Sequence, residues 1–253
     1  MTLNADGYPV ITANSTATIS THNGSLQILY SSVTDYGSIS SRDYKISINV
    51  IAPDVPWWGV KDSADGNGKT LYLAGEEVPG KADTPDESIL NGFASWSDAP
   101  WYSYKNDIVK VEILETSKKI KLNSSERLFG SLSYVTSLTG LKNLDMTNVK
   151  KASLMFAHFG RYGSGCTADI QNLTTSTALN ATNQMFYYAH FTSFNPTGMN
   201  TEEVTTFDEM FGGFSINDGI MDLSSFSNNK ANNIGSMFWQ VTNVTTIYAD
   251  SSK

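Results

Sequence analysis

The sequence predicts a mixed, β-rich chain in which small β domains precede a solenoid of short strands and short helical or 3₁₀ segments. Five pairs ending in phenylalanine carry the solenoid: Leu128-Phe129, Met155-Phe156, Met185-Phe186, Met210-Phe211 and Met237-Phe238, at steps of about 25 to 30 residues. Periods in that range mark stacked repeats. Alternating stretches broken by Asn-Gly and Gly-Asn-Gly turns fill the first half, the pattern of antiparallel strands. The composition leans to Ser, Thr, Asn, Gly and Tyr, with only 17% charged residues. That balance suits sheet-rich extracellular domains.

Residues 1–56 read as a small β-sandwich-like domain. Thr16, Thr18 and Ser20 alternate with Ala17 and Ile19, a turn follows at Asn23-Gly24, and Ile46, Ile48 and Val50 alternate with Lys45, Ser47 and Asn49. Pro53 and Pro56 close this part, since proline interrupts a strand ladder. Residues 57–120 read as a second β unit that caps the repeats. It has a turn at Gly66-Asn67-Gly68, a strand from Thr70 to Leu73, a long polar loop from Glu76 to Asp98, and a strand over Ile108, Val109, Val111 and Ile113. Loops of that length tend to be functional or mobile.

Residues 121–253 hold the repeats. Six residues before each Met-Phe pair sit Val149, Leu179, Val204 and Ala231; three before sit Ala152, Thr182, Phe207 and Ile234. Steps of three put side chains on one face of a short helical or 3₁₀ segment. Leu144, Leu173, Met199 and Phe226 come earlier still, after strands at Leu138–Leu141, Ala168–Ile170, near Phe194, and at Met221–Leu223. One strand and one short turn of helix cannot bury their apolar side alone, so each repeat needs its neighbours. A Gly-rich insertion at Gly160–Gly165 and Pro196 at an expected strand position predict local irregularity. Val241, Val244 and Ile247-Tyr248 give a last strand with little to cover it.

The repeats resemble those of the BspA-like leucine-rich-repeat surface proteins of bacteria over about residues 121 to 250. The resemblance rests on Gly140-Leu141-Lys142-Asn143-Leu144-Asp145-Met146-Thr147-Asn148-Val149 with Leu154-Met155-Phe156, on Met221-Asp222-Leu223-Ser224-Ser225-Phe226, and on Thr246-Ile247-Tyr248-Ala249. Trp58-Gly59, Gly68-Lys69-Thr70-Leu71, Ala99-Pro100-Trp101-Tyr102 and Ile108-Val109-Lys110-Val111 are similar to the unit that precedes such repeats. Tyr36-Gly37-Ser38-Ile39 is similar to a phrase of small β domains in Gram-positive wall proteins. The resemblance implies a solenoid of leucine-rich-repeat type. It also implies a secreted, cell-wall or cell-surface protein that adheres to host matrix, mucin, glycan or other cells.

Charge narrows the partners. With 17 Lys and Arg against 25 Asp and Glu, the net charge is −8, which argues against nucleic acid, whose binding needs clustered cations. The one basic run, Lys118, Lys119 and Lys121, reads as a solvated strand edge. No run of eighteen apolar residues is present, so no membrane span is expected. Met1-Thr2-Leu3-Asn4 has neither a basic nor an apolar stretch, so an export signal and an anchor are expected outside this sequence. Cys166 is the only cysteine, which excludes an internal disulfide.

Candidate chemistry is sparse. His158 and His190 are half of a metal site with no third ligand at fixed spacing, and Asp62, Asp65 and Asn67 fit a hairpin turn better than a calcium loop. Glu202, Glu203, Asp208 and Glu209 suggest paired carboxylates, but adjacent acids on a turn point different ways. Cys166 and the serines lack a catalytic signature, so no catalytic residue, cofactor or metal is expected. The aromatics are more telling. Trp101 reads as core, whereas Trp96 and Tyr102 in the long-loop region, and Tyr187, Tyr188 and Trp239 beside the repeat pairs, are the expected ligand contacts. The expected function is therefore non-catalytic adhesion to a host or cell-surface protein or glycan. A structural stalk presenting another domain, and a carbohydrate-active enzyme, are the alternatives.

Overall fold

The computed structural model describes residues 54–250 together with two strands near the start, β1 (Thr2–Leu3) and β2 (Pro9–Val10), which pair antiparallel. Apart from that pair, the β-sandwich expected over residues 1–56 lies outside the described residues. Residues 54 onward form one compact unit. No helix among the described residues is long and apolar enough to cross a membrane.

A mixed six-stranded sheet opens this unit. β3 (Trp57–Asp62) and β4 (Lys69–Ala74) form a hairpin, and β5 (Thr84–Pro85) pairs antiparallel with the other edge of β3. The turn needs Gly66 and Gly68 at positive φ, 73° and 74°, which glycine adopts without a Cβ penalty. Asp62 pairs with Lys69 across the hairpin and Asp65 ties the turn to Lys110 of the neighbouring strand, so the carboxylates that faintly suggested a calcium loop are engaged in ion pairs instead. β6 (Ile108–Ile113) then runs parallel to β4. The expected loop between them is largely structured, with 3₁₀ turns at Glu87–Asn91, Trp96–Asp98 and Tyr102–Tyr104. Ser95 and Asp98 form a reciprocal capping box at the second turn. These turns lay Ile89, Phe93 and Trp101 over Leu71, Leu73, Val111 and Ile113 in one buried cluster.

The sheet does not stop where the repeats begin. β7 (Ile120–Lys121) leads into the first coil, β8 (Ser137–Thr139) adds parallel to β6, and β10 (Thr167–Ala168) adds parallel to β8. β9 (Leu144–Asp145) pairs parallel with β7. Later coils pair through β11 (His190–Phe191) with β12 (Ser215–Ile216), and β13 (Ile220–Asp222) with β14 (Thr246–Tyr248), all parallel. The result is a β-solenoid of about five turns sharing a core with the preceding sheet. At Phe194, two residues before Pro196, the strand shrinks to a single bridge to Met221, as a missing N–H donor requires.

The Met-Phe segments are not helical, which corrects the expected strand-plus-helix repeat; the described residues contain no α-helix. Every second N–H here leaves its own turn. Leu154, Phe156 and His158 donate to the carbonyls of Asn183, Met185 and Tyr187, while Met155 and Ala157 between them donate three residues back. A helix would keep all of them. The alternation is enforced by two left-handed residues in each coil. Arg127, Leu154, Gln184, Glu209 and Ser236 precede the Leu/Met-Phe pairs, and Ser131, His158, Tyr188, Gly213 and Gln240 follow two residues after the Phe. Each non-glycine residue there costs about 1–2 kcal/mol, offset by the bonds between coils. The leucine-rich-repeat type expected from the resemblance is thus reduced, as a structural finding, to a β-solenoid.

Inside, Phe129, Phe156, Phe186 and Phe211 form a column with ring centroids 5.4–5.6 Å apart, and the partly exposed Phe238 stacks on its end at 5.8 Å. Phe159, Phe191 and Phe214 form a second column beside it. Val149, Leu179, Val204, Ala152, Thr182 and Phe207 are buried as their spacing predicts, whereas Ile234 in the last coil is 61% exposed.

Candidate functional site

Four of the five aromatics expected to contact ligand gather on one face of the coils. Tyr187, Tyr188 and Trp239 occupy the two positions after a column phenylalanine, and Trp96 lies against Gly130, the equivalent position of the first coil. Trp96 meets His158 edge to face at 5.5 Å, His158 lies parallel to Tyr188 at 5.6 Å, and Tyr188 meets Trp239 edge to face at 6.4 Å. Tyr187 closes on both His158 and Tyr188. A ridge of rings therefore runs from the 3₁₀ turn at Trp96 to the last coil.

Glycines make the ridge possible. A Cβ on Gly212 would sit 2.9 Å from the Tyr187 ring, and one on Gly213 would sit 2.5 Å from the Tyr188 ring. Each tyrosine thus lies flat on a bare glycine of the following coil. Trp96 lies on Gly130 in the same way, with its indole N–H buried and unpartnered. Tyr102 is the exception. Its hydroxyl accepts from Lys105, whose ammonium sits 4.1 Å above the ring, and the side chain packs against the core away from the ridge. Trp101, read as core, is buried against Trp58 and Phe93.

Beside the ridge lies an open groove of about 500 Å³, lined among others by Arg161, Tyr188, His190, Ser215, Gln240 and Thr242. Sequence reasoning singled out only Tyr188 as a ligand contact in this set. Arg161 comes from the Gly-rich insertion, whose backbone is tied to the preceding coil through Gly160 N–H to Leu132 and Tyr162 N–H to Ser133. The insertion was the one available signal. The Arg161 guanidinium lies 4.3 Å from the Tyr188 ring centre and hydrogen-bonds His158 Nδ1 at 3.0 Å. Burial first, and the Arg161 charge second, hold the His158 pKa below its ordinary value, so the imidazole is neutral at neutral pH and accepts at Nδ1. Burial, reinforced by Glu209, pushes the Tyr187 phenol up.

The other candidates disperse. His190 bonds Asn217 rather than meeting His158, and no group of three His, Cys, Asp or Glu able to hold a metal exists among the described residues. Glu203 is held by Lys230, and Glu209 accepts from Gln184. Cys166 is buried, and that burial pushes its thiol up to about 12, the opposite of nucleophile activation. Lys118 and Lys121 both grip Asp54. Compared with known proteins, the chain matches no family model, no curated protein and no solved structure.

Proposed function

We propose that this chain is a non-catalytic binding module of a bacterial cell-surface protein, engaging a host or cell-surface protein or glycan through the face of its repeats. The observation that carries this reading is the ridge Trp96–His158–Tyr187–Tyr188–Trp239 alongside an open groove. Trp and Tyr present large rigid surfaces at small entropic cost and dominate binding hot spots. A solenoid holds such groups in fixed rows, so affinity builds from several modest contacts. The resemblance to BspA-like repeats points the same way, toward adhesion and an extracellular location.

The test is a glycan and matrix-protein array probed with the purified chain and with Trp239→Ala, whose ring is 45% exposed. Binding that weakens in the variant supports the reading. Absence of any signal from correctly folded protein overturns it.

A further inference from the structure

The groove has a chemical bias of its own, and the inference drawn from it rests on the binding reading above. We propose that the groove takes the carboxylate of an acidic sugar, a sialic or uronic acid unit of a glycan, on the Arg161 guanidinium.

Arg161 has no ion-pair partner among the described residues. All seven ion pairs among the described residues use lysine, and Arg161 belongs to none of them. Its hydrogen-bond partner is the uncharged His158 ring, and its flat face is held by Tyr188 with Tyr162 at 5.3 Å. These contacts fix the plane of the guanidinium and use one of its nitrogens. The rest of the fork remains, with the geometry that grips a carboxylate through two parallel bonds.

The surrounding groups suit a polyol. Gln240 accepts from the Tyr188 hydroxyl through Oε1 at 3.0 Å, which leaves its amide nitrogen as a donor. Ser215 Oγ accepts from Asn243 and keeps its own O–H to donate. The Thr242 hydroxyl has no partner among the described residues. Sugar hydroxyls both donate and accept, and mixed groups of this kind meet them. Trp239, standing edge-on to Tyr188, offers an apolar face of the sort pyranose C–H groups pack on.

An acidic peptide fits less well. One arginine answers one carboxylate, whereas a run of carboxylates meets a chain already carrying −8.

The test titrates the whole chain, followed by NMR or calorimetry, with N-acetylneuraminic acid, galacturonic acid, their methyl esters, N-acetylglucosamine and a tetraglutamate peptide. Saturable binding of at least one free acid is expected, about tenfold or more tighter than its uncharged ester, as fits a hydrogen bond to a charged group. Arg161→Gln should lose a similar factor while the chain stays folded at the temperature of the titration, and Arg161→Lys should lose less. The two acids distinguish a sialic from a uronic source. Equal affinity for acid and ester, an unaffected Arg161→Gln, or binding of tetraglutamate alone overturns the proposal. If neutral glycans or matrix proteins bind the array while neither acid binds the chain, only this inference fails; if nothing binds, the broader reading fails with it.

Discussion

The Phe156 and Phe186 rings, one coil apart, lie parallel within 1° at a centroid separation of 5.4 Å. The offset stack repeats at Phe186–Phe211, and Phe186 also meets Phe191 and Phe194 edge-on. Phe186 is therefore a fully buried ring enclosed by its neighbours in a shared interior. Phe186→Ala should cost about 3–5 kcal/mol, the range for an emptied aromatic site. Phe238→Ala, at the 40% exposed end of the same column, should cost about 1–2 kcal/mol, as partial exposure predicts. Urea unfolding of both variants checks this. Equal losses would mean that the coils do not share one core.

A second prediction concerns the bare backbone under Tyr188. Gly213 has φ of 65° and no room for a methyl group, since the ring carbons would stand 2.5 Å away. Gly213→Ala should therefore destabilise by about 1–3 kcal/mol through strain and collision together. Gly66→Ala is the control, because φ is 73° there but nothing lies within 4 Å of the added carbon. It should show the conformational cost alone, about 1 kcal/mol. Matching melting temperatures for the two variants would remove the ring-on-glycine contact from the account.

The pH dependence of stability gives a third. His158 faces Trp96, Tyr187, Tyr188 and Arg161, and its pKa is depressed by burial and by that guanidinium. The unfolded chain takes up a proton near pH 6.5, while the folded chain resists until lower pH. Between those points the unfolded state binds more protons, so stability present above pH 6.5 declines as pH falls and levels off below the folded value. His158→Asn, which tolerates the left-handed backbone at φ of 60°, should flatten the change between about pH 7.5 and 5.5. An unaltered slope in that variant would assign the effect elsewhere.

The period of the Met-Phe pairs was enough to place the interior, because burial of every coil's phenylalanine is a demand that each repeat makes on its neighbours. It was not enough to choose between a helical segment and alternating turns. Both put residues three apart on one side. The deciding feature is a left-handed residue on each flank, and Arg127, Leu154, Gln184 and Ser236 carry no sequence mark of it; glycine at Gly213 is the one overt hint. The aromatic ridge was legible as residue types, since Tyr187, Tyr188 and Trp239 follow the pairs directly. The groove was not, because Arg161, Ser215 and Gln240 come from three different coils and only the stacking brings them together.

The final prediction follows from the direction of the ladder. Each coil donates N–H groups forward: Phe129 to Met155, Phe156 to Met185, Phe186 to Met210 and Phe211 to Met237. In the last described coil the equivalent donors, at Ser236, Phe238 and Gln240, find no acceptor among the described residues, while Met237 and Trp239 between them still bond three residues back. Ile234, Phe238, Trp239, Ile247 and Tyr248 are exposed around the same coil. Protection from hydrogen exchange should therefore be high at Phe156 and Phe186, close to the global unfolding limit, and lowest at Ser236, Phe238 and Gln240, where opening breaks nothing. Exchange measured by NMR on this chain resolves the individual amides. Uniform protection along the column would show that the terminal donors are satisfied by another contact, such as a second molecule seated on the exposed coil, and dilution would then raise exchange at those three amides alone.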